Sequence, residues 1–276
     1  MITRSSLSSL LFPGGARPPA LCPTLASKPR RRFFQLSQAL LEESRGSWAT
    51  SPIYAYTGIS TWWRVVFDYE RAKRAQIELS KHVREVDEIE YPVRYAAGVD
   101  VSFKGSLAIG AAVVVEYPSL RVVEERIAFT KVEIPYVPTF LAFREVPPAL
   151  RALKMLGTNY QVLFVDGNGR LHPRKAGFAC HLGVLVDKPT IGVAKKLLLG
   201  VLRWVDESEA EVVVDGEVLG YAVKLSGKVF YVSVGHKLTL RTAVSLVKAF
   251  SRRGTSLPEP LRAAHSLSVR GRSSLA

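Results

Sequence analysis

The 276-residue chain is short of cysteine, methionine, asparagine and glutamine, and its first 41 residues contain no acid at all. Two cysteines, Cys22 and Cys180, cannot build a disulfide framework and suit a reducing compartment. Asn occurs only at positions 159 and 168, Gln at four positions and Met twice. Such a dearth of thermolabile side chains points to a heat-adapted source. No apolar run approaches membrane-spanning length, so a soluble, cytoplasmic protein with no membrane partner is expected.

What is abundant is positive charge. A formal net charge of +14 and a pI near 9.9 point to a polyanionic partner, nucleic acid before membrane surface. The charge is uneven: residues 1–60 hold seven Lys/Arg and two Asp/Glu, a net +5, which leaves +9 for the remainder. Residues 1–41 scatter Ser and Pro among short apolar clusters. They read as an Arg/Ser-rich transit peptide, as a disordered basic tail, or as the product of a start codon placed too far upstream. The heat-adapted composition argues against an organelle, and residues 1–60 are expected to lie outside the fold as a basic extension. A folded domain is expected over 61–268 and a disordered tail over 269–276.

Within that domain, Ala72, Ala75, Leu79, Val83, Val86 and Ile89 recur at steps of three and four and predict an amphipathic helix over 68–89. The period then changes. Strands are predicted over 95–103, 107–116 and 121–132, separated by turns at Lys104-Gly-Ser106 and Pro118-Ser-Leu120. A helix is predicted over 140–156, with Pro147-Pro148 close to its start, where proline fits a first turn. A buried strand over 161–165, a helix over 177–186 and a strand over 189–194 follow. A hairpin over 212–225 turns at Asp215-Gly216, and a strand over 228–234 precedes a helix over 239–250. This order is an α/β mixed sheet: an antiparallel three-strand meander plus parallel strands, flanked by helices. The Trp62-Trp63 pair reads as packing.

The densest stretch of polar function is Asp166-Gly-Asn-Gly-Arg-Leu-His-Pro-Arg-Lys-Ala-Gly177, directly after the apolar strand 161–165. Asp166 at a strand end can grip a hard cation, Gly167 and Gly169 let backbone approach a bound group, and Arg170, Arg174 and Lys175 suit phosphate. A Gly-rich turn with a solvated basic rim is the plainer reading of a lone DGxG. Asp100, mid-strand in Gly98-Val-Asp-Val-Ser102, is costly on a buried face unless paired or metal-bound, and alone it fits a solvent face as well. Glu145, near a helix start, complements the helix dipole if it does nothing else. Three clustered carboxylates would repel one another and need Mg²⁺ or Mn²⁺, though only topology can bring them together. His236, after a strand, either orients a water or caps the next helix. Lys195-Lys196 either face a phosphate or solvate a strand end. Pro135-Tyr-Val-Pro138 is a stiff loop that presents Tyr136 for base stacking or packs it over its own prolines. His172, His181 and Cys180 lack zinc-site spacing.

At these residues the chain resembles endonuclease V, the deoxyinosine-specific repair nuclease with a ribonuclease-H-like fold. The resemblance covers roughly residues 70 to 268. It rests on Gly98-Val-Asp-Val-Ser, Pro135-Tyr-Val-Pro, Phe140-Leu-Ala-Phe-Arg-Glu145, Asp166-Gly-Asn-Gly-Arg-Leu-His-Pro-Arg, Ile191-Gly-Val-Ala-Lys195, Val234-Gly-His236 and Leu257-Pro-Glu-Pro260, in that order. It implies that Asp100 and Asp166 bind catalytic Mg²⁺, with Mn²⁺ able to substitute, and that Glu145 completes the acidic site directly or through water. His236 would position the attacking water, and Lys195 would lie near the scissile phosphate. Tyr136, with Pro138 beside it, would be the wedge that enters the duplex as the base flips out. The flipped hypoxanthine would be read by backbone around Thr139, Leu141, Gly167, Gly177 and Gly192, because an O6 acceptor and an N1–H donor need no side chain. The implied reaction cuts the second phosphodiester bond 3′ to deoxyinosine in DNA and leaves 3′-hydroxyl and 5′-phosphate ends. A monomer is expected, and inosine-containing RNA and a weakly catalytic inosine-DNA binding module are the alternatives. The chain departs from the family pattern at Thr139, where Gly is usual, at Val234, often Pro, and at Asn168, often His.

Overall fold

The computed structural model describes residues 67–275 apart from Arg253. The extension over 1–60 and the Trp62-Trp63 pair therefore lie outside the described residues. Helix α1 (Tyr69–Ser80) starts at Asp68, whose carboxylate accepts from the Arg71 N–H at 2.9 Å. It buries Ala72, Gln76 and Leu79, as the period requires, but it stops two turns before Ile89. The physical reason is a competing long-range pairing: Lys237 N–H donates to Arg84 O at 2.7 Å and Glu88 N–H donates to Lys237 O at 3.1 Å. Those bonds draw residues 84–88 off the helix axis, and Val86 ends up exposed.

Strands β1 (Tyr95–Lys104), β2 (Leu107–Glu116) and β3 (Arg121–Lys131) form the expected antiparallel meander, with Asp100 opposite Ala111. Helix α2 (Leu141–Lys154) then crosses to β4 (Val162–Asp166), and α3 (Phe178–Val186) crosses to β5 (Thr190–Ala194). The remaining strands are β6 (Val201–Trp204), β7 (Glu209–Val214), β8 (Glu217–Leu225) and β9 (Lys228–His236), followed by helices α4 (Leu240–Ala249) and α5 (Glu259–Ser273). One nine-stranded sheet results, in the order β3-β2-β1-β4-β5-β9-β8-β7-β6. The β1–β4 and β4–β5 pairs are parallel and the rest antiparallel.

Strand alternation divides the core. Ala97, Val99, Leu163 and Val165 pack with Ala142, Val146 and Leu153 of α2 and Leu182 of α3. Ala96, Phe164, Ile191 and Val232 pack on the other face with Leu246 of α4 and Leu261 and Leu267 of α5. Asp100 shares its face with Ala96, and Asp166 shares its face with Phe164, so both carboxylates lie on the α5 side.

Two local expectations are corrected and one strand is added. Pro147 and Pro148 fall in the middle of α2 rather than its first turn. Burial of Ala142, Val146, Ala149 and Leu153 offsets the lost N–H bonds, worth about 3 kcal/mol for an interior proline. The short edge strand β6 gave no periodic signal, since its residues are mostly exposed. The second correction concerns the C-terminus: residues 269–273 do not fray but continue α5. Leu261, Ala264, Leu267, Ser268 and Gly271 form a buried stripe of small and apolar residues that lies directly on the sheet.

Candidate active site

Parallel pairing of β1 with β4 sets Gly98 opposite Phe164 and Val99 opposite Val165. Two residues further along the same face, Asp100 and Asp166 become neighbours. His265 of α5 closes the group: one ligand atom from each of Asp100, Asp166 and His265 lies within 4.8 Å of the others. Asp100 is buried; its Oδ2 accepts from Ser268 Oγ at 2.6 Å and lies 3.1 Å from His265 Nδ1. Asp166 Oδ2 accepts from Lys195 Nζ at 2.6 Å, and Lys195 extends from the end of β5 into solvent.

The electrostatics of the group are those of an incompletely neutralised acidic site. Burial, then the charges of Asp100 and Asp166, push the Glu145 carboxyl well above the usual carboxylate range. Burial also raises Asp166, against the opposing pull of Lys195. A divalent cation would relieve both; the two carboxylate oxygens suit Mg²⁺ or Mn²⁺, and the imidazole nitrogen beside them is a better donor to Mn²⁺ than to Mg²⁺. Asp100, Asp166 and His265 can therefore hold a metal ion, with Glu145 beside them.

His265 was not singled out in the sequence, whereas His236 was. The structure does not bring His236 to the carboxylates. It pairs with Thr190 at the start of β5, whereas Asp166 pairs with Val193 on the other side of β5, about 10 Å along and about 10 Å across, and so roughly 14 Å away. There its Nδ1 accepts from the Arg84 N–H at 3.2 Å, and its Nε2 lies 3.6 Å from Asp187. Antiparallel entry of β9 puts its C-terminal end at the opposite edge from the acidic group. A signal for His265 did exist: the helical spacing of Leu261, Ala264, Leu267 and Ser268 after Leu257-Pro-Glu-Pro260.

The basic residues of the Asp166 loop are also placed differently from the phosphate contacts expected of them. Arg170 is largely buried and pairs with Glu85 at 3.0 Å and Glu217 at 3.1 Å, and Lys175 pairs with Glu217 too. Arg174 donates to Gln76 Oε1 at 2.5 Å and to Thr139 Oγ1 at 2.7 Å. Arg170, 13% exposed, is held out of water by Glu85 and Glu217, whereas the Lys175–Glu217 pair is about half exposed; together with Arg174 they bind the loop to the fold.

Glycines shape the rest. A Cβ at Gly177 would stand 2.2 Å from Asn168 O, and one at Gly192 would stand 2.6 Å from Gly167 O. Gly167, Gly177 and Gly192 thus form one backbone cradle around Asn168. Within it the Gly167 N–H donates to Val193 O and the Gly177 N–H donates to Gly169 O. Leu141 opens α2, whose N-cap Phe140 supplies no side-chain cap, and the Phe143 N–H of that first turn donates to Phe140 O at 3.1 Å. Tyr136 stands between Pro135 and Pro138 with 67% of its surface exposed. His172 and His181 are buried, and burial lowers them to about 4 and about 3, so both are neutral. Among the described residues no helix is long and apolar enough to cross a membrane.

A mixed sheet with one carboxylate midway along a strand and a second at the end of its parallel neighbour, covered by helices on both faces, is the ribonuclease-H-like class of nuclease fold. Comparison with known proteins narrows this. The model of the endonuclease V family matches residues 77–266. Endonuclease V of Thermofilum pendens is 60% identical over 201 residues, 72% of this chain and 87% of that protein. The crystal structure of the Streptomyces avermitilis enzyme superposes with a TM-score of 0.70 at 35% identity, covering 76% of this chain and 96% of that one. That of the Ciona intestinalis enzyme, in complex with a 24mer DNA containing an inosine followed by a ribo-adenosine, gives 0.67 at 31% identity over 76% and 100% of the two chains. The chain belongs to the endonuclease V family.

Proposed function

We propose that this protein is a Mg²⁺-dependent endonuclease that recognises deoxyinosine in DNA and hydrolyses the second phosphodiester bond 3′ to it. The observation that carries the proposal is the convergence of Asp100, Asp166 and His265 within 4.8 Å, next to the exposed Lys195. Asp100, Asp166 and His265 would hold the ion, which when bound supplies charge neutralisation at the phosphate and a more acidic water. Ser268 and His265 orient the Asp100 carboxylate from α5 through the 2.6 and 3.1 Å contacts. Glu145 keeps a carboxyl at the edge of the group, where it can take or share a proton. Lys195, anchored at the end of a buried strand, places its ammonium to meet a non-bridging phosphate oxygen as charge develops. Water attacks phosphorus, the P–O3′ bond breaks, and the departing 3′ oxygen takes up a proton, which leaves 3′-hydroxyl and 5′-phosphate ends.

Recognition is assigned to the neighbouring loops. Tyr136 on its stiff tip would fill the gap left in the duplex by the flipped base. The N–H of Leu141, in the first turn of α2, would suit the O6 acceptor of hypoxanthine. Gly167 and Gly177 spend their N–H groups internally and the Gly177 carbonyl accepts from the His181 N–H, so with Gly192 their part would be to shape the loop backbone that borders the ring. The net charge of +14 supplies affinity that is blind to sequence and falls with salt.

A second reading has an observation in its favour. The Ciona relative was solved on DNA with a ribo-adenosine after the inosine, so a ribonucleotide 3′ of the lesion is a candidate substrate feature here too. One experiment addresses both: an end-labelled duplex with a single deoxyinosine, with and without a ribonucleotide at the next position, in Mg²⁺ and in EDTA. A metal-dependent nick at the second bond 3′ of deoxyinosine in the all-DNA strand is expected. Cleavage of the ribonucleotide strand alone would transfer the proposal to RNA, and no cleavage of either would overturn it.

A further inference from the structure

We infer that Gln76 and Arg174 are positioning residues that hold Thr139 in a left-handed conformation and so set the pose of the 135–138 loop for lesion recognition. This deepens the reading of Tyr136 as a wedge and rests on it. Thr139 is the residue through which that loop joins α2, and its φ is +67°. A β-branched side chain disfavours this region strongly, and glycine is the residue that occupies it without strain. Such a conformation persists only where the surroundings over-determine it.

The surroundings do so. Thr139 O accepts from Gln76 Nε2 at 2.8 Å, from His172 at 2.9 Å and from Arg174 Nη2 at 3.1 Å, and its Oγ1 accepts from the same Arg174 nitrogen at 2.7 Å. His172 takes the donor role because its Nδ1 accepts from the Arg174 N–H at 3.3 Å, which leaves the proton on Nε2. Gln76 is fully buried on α1, and its Oε1 accepts from Arg174 Nε at 2.5 Å. The guanidinium also lies over the Phe140 ring, 4.5 Å from its centroid. Arg174 thus differs from Arg170 and Lys175 in the same loop, which both pair with Glu217. Its donors go to the one strained residue next to the exposed tyrosine. A threonine at this position adds a hydroxyl for the clamp to grip, and the strain is the cost of that grip.

The test is a cycle of Arg174→Ala and Thr139→Gly, read by affinity for a fluorescent duplex carrying one deoxyinosine and for the same duplex with adenine. Arg174→Ala should weaken lesion binding about tenfold while leaving adenine-duplex binding within about twofold. Adding Thr139→Gly should recover at least about a third of that loss, because glycine holds the left-handed turn without a clamp. A merely structural arginine would give additive losses on both duplexes, and that result would overturn the inference. Where Arg174→Ala does not fold, Gln76→Met, similar in shape and unable to donate, tests the same link. Chymotryptic cleavage after Tyr136, followed by mass spectrometry, reads the loop without substrate. It should rise in Arg174→Ala and fall back in the double variant. If the unmodified protein fails to discriminate deoxyinosine yet shows this protease pattern, the clamp stands and the lesion reading falls. If the protease pattern is flat, the clamp falls whatever the binding shows.

Discussion

His265 lies on α5 over β1, His236 ends β9 beside the start of β5, and each lies close to an aspartate. His265 Nδ1 lies 3.1 Å from Asp100, and 51% of its side-chain surface is open to solvent. His236 lies 3.6 Å from Asp187 with 4% open. Around His236 the charges are already matched: Lys237 Nζ lies 2.8 Å from Asp187, Arg84 lies 3.4 Å from it, and Arg84 also pairs with Glu88 at 2.7 Å. Around His265 they are not, since three carboxylates share a corner in which Lys195 is paired with one of them. A network whose charges are matched holds structure. A corner with surplus carboxylate and an open imidazole has capacity for a cation and a substrate. That imbalance, more than the identity of either histidine, separates a site from a brace.

Removing the carboxylates should break the comparison most. Asp100→Ala and Asp166→Ala should each lower single-turnover cleavage of a deoxyinosine duplex on the order of 1000-fold while keeping lesion binding within a few-fold. Near-normal cleavage in either variant would remove it from the metal group. His265→Ala comes next, with a loss of about 10–100-fold that raised Mn²⁺ should partly restore. His236→Gln should cost less than about threefold under the same conditions. If the two histidines exchanged these outcomes, the assignment of roles to them would be inverted.

The reason His236 rather than His265 stood out in the sequence is physical. His236 ends a run of strand period in Val234-Gly-His236, a local pattern, whereas His265 reaches Asp100 across 165 residues of chain. The same limit applies to the Asp166 loop. Its density of polar residues was legible, but Arg170 and Lys175 find their carboxylates at Glu85 and Glu217, which no local pattern connects. Strands β1 to β5 and β7 to β9 were legible from apolar runs, alternation and turn residues, because burial on one or both faces writes itself into adjacent positions. The early end of α1 was not, because it depends on the pairing of Arg84 and Glu88 with Lys237. Adjacency of Asp100 and Asp166 needed the β1–β4 pairing, which is a fact of topology.

The brace can be sharpened by pH. Burial, then the charges of Arg84 and Lys237, lower His236 from 6.5 to about 4. An unfolded chain takes up this proton below about pH 6.5, whereas the folded chain resists it until about pH 4. Stability from this group is therefore complete above pH 6.5 and is lost as pH falls towards 4, up to about 3 kcal/mol in all. His172 and His181 add to the slope in the same direction. Urea unfolding between pH 4 and 6.5 should show a shallower slope in His236→Gln than in the unmodified protein. An unchanged slope would mean that His236 is already protonated in the folded state.

The smallest effect bears on α5, which carries His265 and Ser268 to the carboxylates. A fraying tail and a packed helix make opposite predictions for Gly271→Ala. In an exposed, fraying segment alanine would favour helix by about 1 kcal/mol over glycine, and the change would be neutral or stabilising. In the packed helix a Cβ at Gly271 would stand 2.9 Å from Ile109 Cγ2 and 3.2 Å from Ile127 Cδ1. Ile109 is fully buried, so α5 must lift or the isoleucine must leave its rotamer, at about 1–3 kcal/mol. Overpacking outweighs propensity, and a net destabilisation of about 1 kcal/mol is expected by thermal or urea unfolding. The displacement would carry Ser268 with it and so loosen its 2.6 Å bond to Asp100. Gly271→Ala should therefore raise the Mg²⁺ concentration needed for half-maximal cleavage measurably even at a temperature where the fold is intact. A stabilised variant with an unchanged Mg²⁺ requirement would mean that the helix does not press on the sheet where the acidic group is held.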